Sequence, residues 1–110
     1  MTMKFDAIII GGGNAGFGAS SILAAAGQKL AFIEQAEFGG TCPNRGCTPK
    51  KVLVAAAKSL DEINKASGHG ISVSAPTIDW TQLIGRKDQM IDFIPGAMLG
   101  VAEKRGTVFT

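Results

Sequence analysis

An α/β fold built on a doubly wound parallel sheet is what this sequence predicts, on three observations. A short apolar run, Asp6-Ala7-Ile8-Ile9-Ile10, leads straight into three glycines, Gly11, Gly12 and Gly13. A small-residue stretch of helical character follows, from Ala15 to Ala26. A second apolar run, Lys29 to Ile33, ends on an acid, Glu34. Short continuous apolar runs suit strands covered on both faces, the usual state of strands in a parallel sheet with helical crossovers.

The first strand is expected from Phe5 to Ile10. After it, Gly11, Gly13 and Gly16 form a G-x-G-x-x-G pattern. The first glycine permits a tight turn, the second lets the backbone approach a pyrophosphate, and the third lets helix and strand pack closely. Asn14 and Ala15 stand where the helix begins, its unpaired N–H groups and positive dipole end directed at the phosphates. Gly27 is the expected helix cap. Glu34 falls eighteen residues after Gly16, where a carboxylate can accept hydrogen bonds from an adenosine ribose. Strand, glycine turn, helix and acid-ended strand together predict a Rossmann-like dinucleotide site; the bland alternative is a glycine-rich turn that binds nothing.

Gln35 to Phe38 connects to Gly39-Gly40. A helix is expected from Thr41 or Pro49 to about Ser67, with Val52, Leu53, Ala56, Leu60 and Ile63 at helical spacing. Gly68-His69-Gly70 ends it, and His69 there reads as a solvated loop residue. Ile71 to Ser74 alternates like a short strand or extended segment. Asp79 is placed to cap a following helix. Trp80 to Arg105 is apolar-periodic but interrupted by Pro95-Gly96, which should kink or split it. Trp80, Leu83, Ile84, Met90, Ile91, Phe93 and Ile94 are expected to be packing residues. Gly106 closes that helix and Thr107 to Thr110 reads as a third strand. Three strands leave at least one sheet edge unpaired, and a complete domain of this type has five or six. The chain is therefore expected to be the beginning of a larger protein.

The 110 residues give room for one domain or part of one. Hydrophobic residues make up 45% and charged residues 18%, ordinary for a globular chain. A net charge of +2 is too small to argue for nucleic acid or an anionic membrane, and neither is expected as a partner. The apolar start imitates a signal peptide, but Asp6 and the Gly11 to Asn14 turn interrupt it well short of the roughly 20 residues of a membrane span. A soluble, cytoplasmic protein is expected.

Both cysteines lie in Gly39-Gly40-Thr41-Cys42-Pro43-Asn44-Arg45-Gly46-Cys47-Thr48-Pro49-Lys50-Lys51. In a regular helix, positions five apart hold their Cα atoms about 8–9 Å apart, too far for a disulfide. A bond between Cys42 and Cys47 would need a distorted backbone, which Pro43 and Gly46 permit. So short a bridge would stabilise by only about 2 kcal/mol. A dithiol at a helix start, with Arg45 and Lys50 near in sequence, is instead suited to a lowered thiolate pKa and reaction. Inert thiols are the second reading. A metal is the third, although one His and two Cys cannot supply the usual four zinc ligands.

The Gly39 to Lys51 stretch resembles the signature G-G-T-C-x-N-x-G-C-x-P-x-K of the flavin-dependent disulfide reductases, among them glutathione reductase, dihydrolipoamide dehydrogenase, mercuric reductase and trypanothione reductase. The resemblance runs along the whole chain in order, from glycine turn to long second helix. Lys50-Lys51 is more like glutathione reductases than the Ser-Lys of dihydrolipoamide dehydrogenases, while Pro43, Arg45 and Thr48 depart from the commonest glutathione reductase residues. The resemblance implies the N-terminal part of an FAD-binding domain, incomplete here, with NAD(P) and dimerisation domains outside this chain. It implies FAD at the Gly11, Gly13, Asn14, Ala15, Gly16 and Glu34 site, touched also by Gly40, Thr41, Cys42 and one of Lys50 and Lys51. NAD(P)H would be the electron donor, a small-molecule disulfide or similar compound the acceptor, and the complete protein a homodimer. Cys42 would be the thiol that attacks substrate and Cys47 the thiolate facing the flavin. Position agrees with that division, with Cys42 expected nearer the surface and Cys47 on the glycine-turn side.

A disulfide oxidoreductase is thus the leading expectation, with the 110-residue chain alone inactive. The alternatives are a flavin-binding thiol sensor without turnover and a plain NAD-binding domain.

Overall fold

A computed structural model describes residues 2–110. The elements run β1 (Ala7–Ile10), α1 (Asn14–Ala25), β2 (Leu30–Ile33), α2 (Thr41–Arg45), α3 (Cys47–Lys65), a 3-10 turn (Ala66–His69), α4 (Trp80–Ile91), α5 (Ile94–Arg105) and β3 (Gly106–Phe109). The strands form one parallel sheet in the order β1-β2-β3, with β2 in the centre. Each strand is reached through a helical crossover, so the class is α/β with the winding expected of a Rossmann-like domain.

Side chains alternate across a strand, and the register sorts them into two faces. Ala7 and Ile9, Leu30 and Phe32, and Gly106 and Val108 share one face. Onto it pack Phe17, Leu23 and Ala24 from α1 and Met98, Leu99 and Ala102 from α5. Phe17, Phe32 and Phe38 form a triangle of rings with centroids 6.1 to 6.4 Å apart, in the tilted and edge-on arrangements aromatic pairs favour. Gly106 fits here for closeness, not for backbone freedom: a Cβ would stand 2.5 Å from the Leu30 carbonyl oxygen.

The opposite face departs from the sequence expectation. β1 was expected to be covered on both sides, yet Ile8 is 57% and Ile10 83% exposed. The reason is that α1 and α5 both lie on the same side of the sheet. Ile8, Ile10, Ile33 and Phe109 share the other side, where no helix lies among the described residues. β1 and β3 each pair along one edge only, as anticipated.

The helix ends follow their sequence signals. Gly27, at φ +75°, sits just past the α1 cap residue Ala26. Asp79 caps α4, its Oδ1 accepting from the Gln82 N–H at 2.9 Å. The segment from Trp80 to Arg105 splits at Asp92-Phe93, because Pro95 falls in the first turn of α5, where a missing N–H costs nothing. Gly106 belongs to β3 itself. Ile71 to Ser74 forms no strand among the described residues and is exposed, as is His69.

The expected packing residues of α4 divide. Ile91 is buried and Leu83 and Ile94 are half-buried, but Trp80, Ile84, Met90 and Phe93 are exposed. The cause is shape. The molecule measures 72 × 26 × 16 Å with a radius of gyration of 20.7 Å, against about 13 Å for a compact domain of this length. α3 and α4 pack on each other as an arm that leaves the sheet, and a two-helix arm has only one inward face for each helix.

Candidate dinucleotide and dithiol site

The site forms where β1 and β2 end. Gly11 leaves β1 at φ +102°, with open space where a side chain would be. Gly16 is fitted under it, since a Cβ there would run into the Gly11 carbonyl oxygen and the Ile9 Cγ2. α1 then begins with no side-chain cap and no acid in its first turn. Its first N–H groups, those of Asn14, Ala15 and Gly16, keep their donors and the positive end of the helix dipole for an anion. The bare backbone at Gly11 and the uncapped first turn of α1, which holds no acid of its own, fit a pyrophosphate group.

Glu34 is fastened to this turn. Its Oε2 accepts from the Gly12 N–H at 2.7 Å and its Oε1 from the Ala36 N–H at 2.8 Å. These backbone donors, Gly12 foremost, hold the carboxyl below the usual Glu range against a smaller opposing effect of burial. An ionised carboxylate therefore stands at the tip of β2 beside the glycine turn.

The second glycine pair joins the first. The Gly39 N–H donates to the Gly12 carbonyl at 2.7 Å. A Cβ on Gly40 would stand 3.0 Å from the Gly13 Cα, so the two turns meet backbone to backbone. Gly39 and Gly40 hold φ +105° and +69°, the region glycine favours. Phe38 seals the junction, its ring lying where a side chain on Gly12 would be. Asn44 reinforces it from α2, its Nδ2 donating to the Phe38 carbonyl at 3.0 Å. Arg45 pairs with Glu37 on the outside. Gly12, Phe38, Gly39 and Asn44 are parts of the site that a search for ligand-touching residues passes over. Their signal was present in the glycine pattern and the Gly39 to Lys51 stretch, but their work is to hold one turn against another.

Both cysteines are free thiols, Cys42 half-buried in α2 and Cys47 exposed at the start of α3. The helix breaks between them at Gly46, where a Cβ would press on the Thr41 carbonyl oxygen at 3.0 Å and the Cys42 Cα at 3.3 Å. That break is the distortion a bond between the two would need, and it leaves each thiol close enough to shift the other's pKa. The Cys47 thiol, the Cys47 backbone N–H, the Asn14 side chain and the Lys51 charge together hold Cys42 below the ordinary thiol range. Its bond to Cys42, burial and the Cys42 charge push Cys47 up.

Two positional expectations are reversed. Cys42, not Cys47, is the less exposed thiol and lies on the glycine-turn side. The contact of Gly40 with Gly13 causes this, since it seats the start of α2 on the start of α1. The break at Gly46 then turns Cys47 outward. Thr41 lies at the α2 start, and Lys50 and Lys51 are exposed on α3. The charge of Lys51 favours the Cys42 thiolate and that of Lys50 the Cys47 thiolate. The predicted residues thus gather around the α1 start, with the two lysines at the margin. No cluster of three metal-ligating side chains occurs among the described residues.

Comparisons with known proteins point the same way. The sequence pattern of the pyridine nucleotide-disulphide oxidoreductase family matches residues 5–110. The dihydrolipoyl dehydrogenase of Chlamydia muridarum is 39% identical over 111 residues, spanning 100% of this chain and 24% of that protein. A glutathione reductase of Burkholderia cepacia is 41% identical over 92 residues, 84% of this chain and 20% of that protein. The dihydrolipoyl dehydrogenase of Bacillus subtilis is 41% identical over 85 residues, 76% of this chain and 19% of that protein. The chain spans about a quarter of the length of the curated relatives it matches.

Proposed function

The chain belongs to the pyridine nucleotide-disulphide oxidoreductase family, and on that premise we propose that it is the FAD-binding, dithiol-bearing part of an NAD(P)H-dependent disulfide reductase. One observation carries the reading. A thiol whose pKa is lowered stands, through the contact of Gly40 with Gly13, beside the open start of a helix suited to a pyrophosphate.

The first-turn N–H groups of α1 would hold the pyrophosphate, and the bare Gly11 backbone gives it room. Glu34 would accept from the adenosine ribose with the oxygen lone pairs its two backbone donors leave free. The flavin, when bound, supplies the two-electron relay between a nicotinamide and the dithiol. Thiol exchange accounts for the rest. Cys42, as thiolate, attacks a sulfur of the acceptor disulfide, forms a mixed disulfide and releases one thiolate, which takes up a proton. Cys47 loses its proton and attacks the Cys42 sulfur, expelling the second thiol and closing the Cys42–Cys47 bond. Two electrons and two protons then restore the dithiol. Nucleophilicity belongs to Cys42 because its hydrogen bonds favour the thiolate there, although Cys47 is the more exposed of the two.

Glutathione disulfide, lipoamide and related small disulfides are the acceptor class, and the whole protein would act as a homodimer. The test is a spectrum and a turnover assay on the full-length protein. A bound flavin, bleached by NADH or NADPH and reoxidised by a small disulfide, is the expected result. A colourless protein that binds only nicotinamide would leave a plain NAD-binding domain instead.

A further inference from the structure

α1 presents its first N–H groups to a ligand, so its aim decides how well they serve. Little in its own sequence fixes that aim. From Asn14 to Ala25 it carries no charged side chain. It lies on the sheet through small and apolar contacts, which resist separation but give no direction. Direction comes from the far end of the chain. Arg105, the last residue of α5, is half-buried and donates from Nη1 to two acceptors on α1, the Phe17 carbonyl at 3.1 Å and the Ser20 Oγ at 3.0 Å. Ser20 is fully buried, and its own hydroxyl donates to the same Phe17 carbonyl at 3.0 Å. The guanidinium also lies over the Phe17 ring, 5.8 Å from its centroid. Its stem springs from a close-packed point, between buried Ala102 and Gly106, which is set against the Leu30 carbonyl. Arg105 pairs with no carboxylate among the described residues, so its donors are spent on this helix.

We propose that Arg105 is a positioning residue for the dinucleotide site, holding α1 so that its open start and the two glycine turns keep the shape a pyrophosphate requires. The inference rests on the reading of that start as part of a cofactor site. A short series of contacts carries the hold from Arg105 to the turn. The Phe17 ring beneath the guanidinium meets the Phe38 ring edge-on at 6.3 Å. The Phe38 ring fills the space that a side chain on Gly12 would take. Gly12 and Gly39 are then joined by the 2.7 Å hydrogen bond that closes one turn on the other. Phe17 is also one helical turn from Gly13, whose carbonyl accepts the Phe17 N–H at 3.0 Å. A slide of α1 along its axis would therefore break the Arg105 bonds and loosen the junction at Gly12 together. Arginine suits the task because its planar guanidinium sends N–H groups in fixed directions, which apolar contact cannot do.

The experiment takes the full-length protein freed of bound cofactor and titrates it with FAD and, separately, with ADP, which carries a diphosphate without the flavin. Dissociation constants are read beside the melting temperature of the apoprotein. Arg105→Met keeps the stem and removes the donors, and should weaken both ligands about five- to tenfold, the size expected for one hydrogen bond from a charged group. Ser20→Ala should weaken them about two- to threefold. It should add little on top of Arg105→Met, because both remove the same link. Arg105→Lys, with an ammonium in place of the fork, should recover part of the loss. Asp79→Ala is the control, since it loosens the start of α4 on the arm. It should lower the melting temperature and leave both affinities at the wild-type value. Affinities within about twofold of wild type in Arg105→Met, where one lost hydrogen bond should exceed that, overturn the proposal. So does an equal weakening in Asp79→Ala at a matched loss of melting temperature, which would mark Arg105 as merely structural. Should Arg105→Met fail to fold, unchanged affinity in Ser20→Ala overturns it. Wild-type protein that takes ADP but not FAD, with an affinity that depends on Arg105, defeats the flavin reading alone. FAD binding that is independent of Arg105 defeats this inference alone, and binding of neither ligand defeats both.

Discussion

The sheet with its two crossover helices and the α3–α4 arm both carry apolar residues at regular spacing, yet they are packed very differently. In the first, Leu30, Phe32 and Ala102 lose nearly all contact with solvent. In the second, no residue from Lys50 to Met90 is buried, and Trp80 is 63% exposed. Helical periodicity tells which side of a helix is apolar, but not how many neighbours come to cover it. β2 has a strand on each edge and helices packed over one face, whereas the arm packs α4 against α3 and little else.

The sharpest way to test that contrast is to cut the same kind of side chain from each region. Phe32→Ala removes the most deeply buried ring of the aromatic triangle and should cost about 3–5 kcal/mol. Trp80→Ala removes a larger ring from the arm and should stay within about 0.5 kcal/mol. Urea titrations of both variants give the comparison. Similar losses would mean that the arm is covered in solution.

Glycine substitutions sharpen it further, because their sign should invert. Gly16→Ala drives a methyl into the Gly11 carbonyl and Ile9, and should destabilise by about 1–3 kcal/mol while weakening flavin retention. Gly85→Ala, in α4 with open space around it, should stabilise by about 0.5–1 kcal/mol through helix propensity alone. Thermal melts of the two suffice, and a destabilising Gly85→Ala would reveal a close neighbour on the arm.

Smaller effects belong to the polar ends. Asp79→Ala deletes the α4 cap and should cost about 1 kcal/mol by denaturant midpoint. Glu34 has a lowered pKa in the folded chain, so its contribution is full above the ordinary value of 4.5 and is lost as pH falls through the folded value. Stability measured from pH 7 downward should therefore fall more steeply in wild type than in Glu34→Gln below about pH 4.5. Parallel curves would show that the Gly12 and Ala36 donors do not favour the ionised form.

Much of this architecture was legible in local chemistry. Gly11 and Gly16 declared the turn because nothing else fits a positive φ or a carbonyl at contact distance. Gly27, Asp79 and Pro95 marked helix ends because each satisfies or removes a specific backbone group. The dithiol was legible as a thirteen-residue pattern. What could not be read depends on pairs distant in sequence. The bare side of β1 follows from α1 and α5 sharing one face. The inward position of Cys42 follows from Gly13 meeting Gly40. Neither contact leaves a periodicity or composition signal in the chain.

The break at Gly46 has a mechanical consequence. α3 begins one residue later and runs for 19 residues, about 28 Å of rigid rod at 1.5 Å per residue. A rotation of roughly 5° at its base would carry the far end about 2.5 Å sideways over such a length. The two sulfurs sit at the fulcrum of that rod, so any bond made or broken between them acts on the short arm of a lever whose long arm holds Ile63 and the loop beyond.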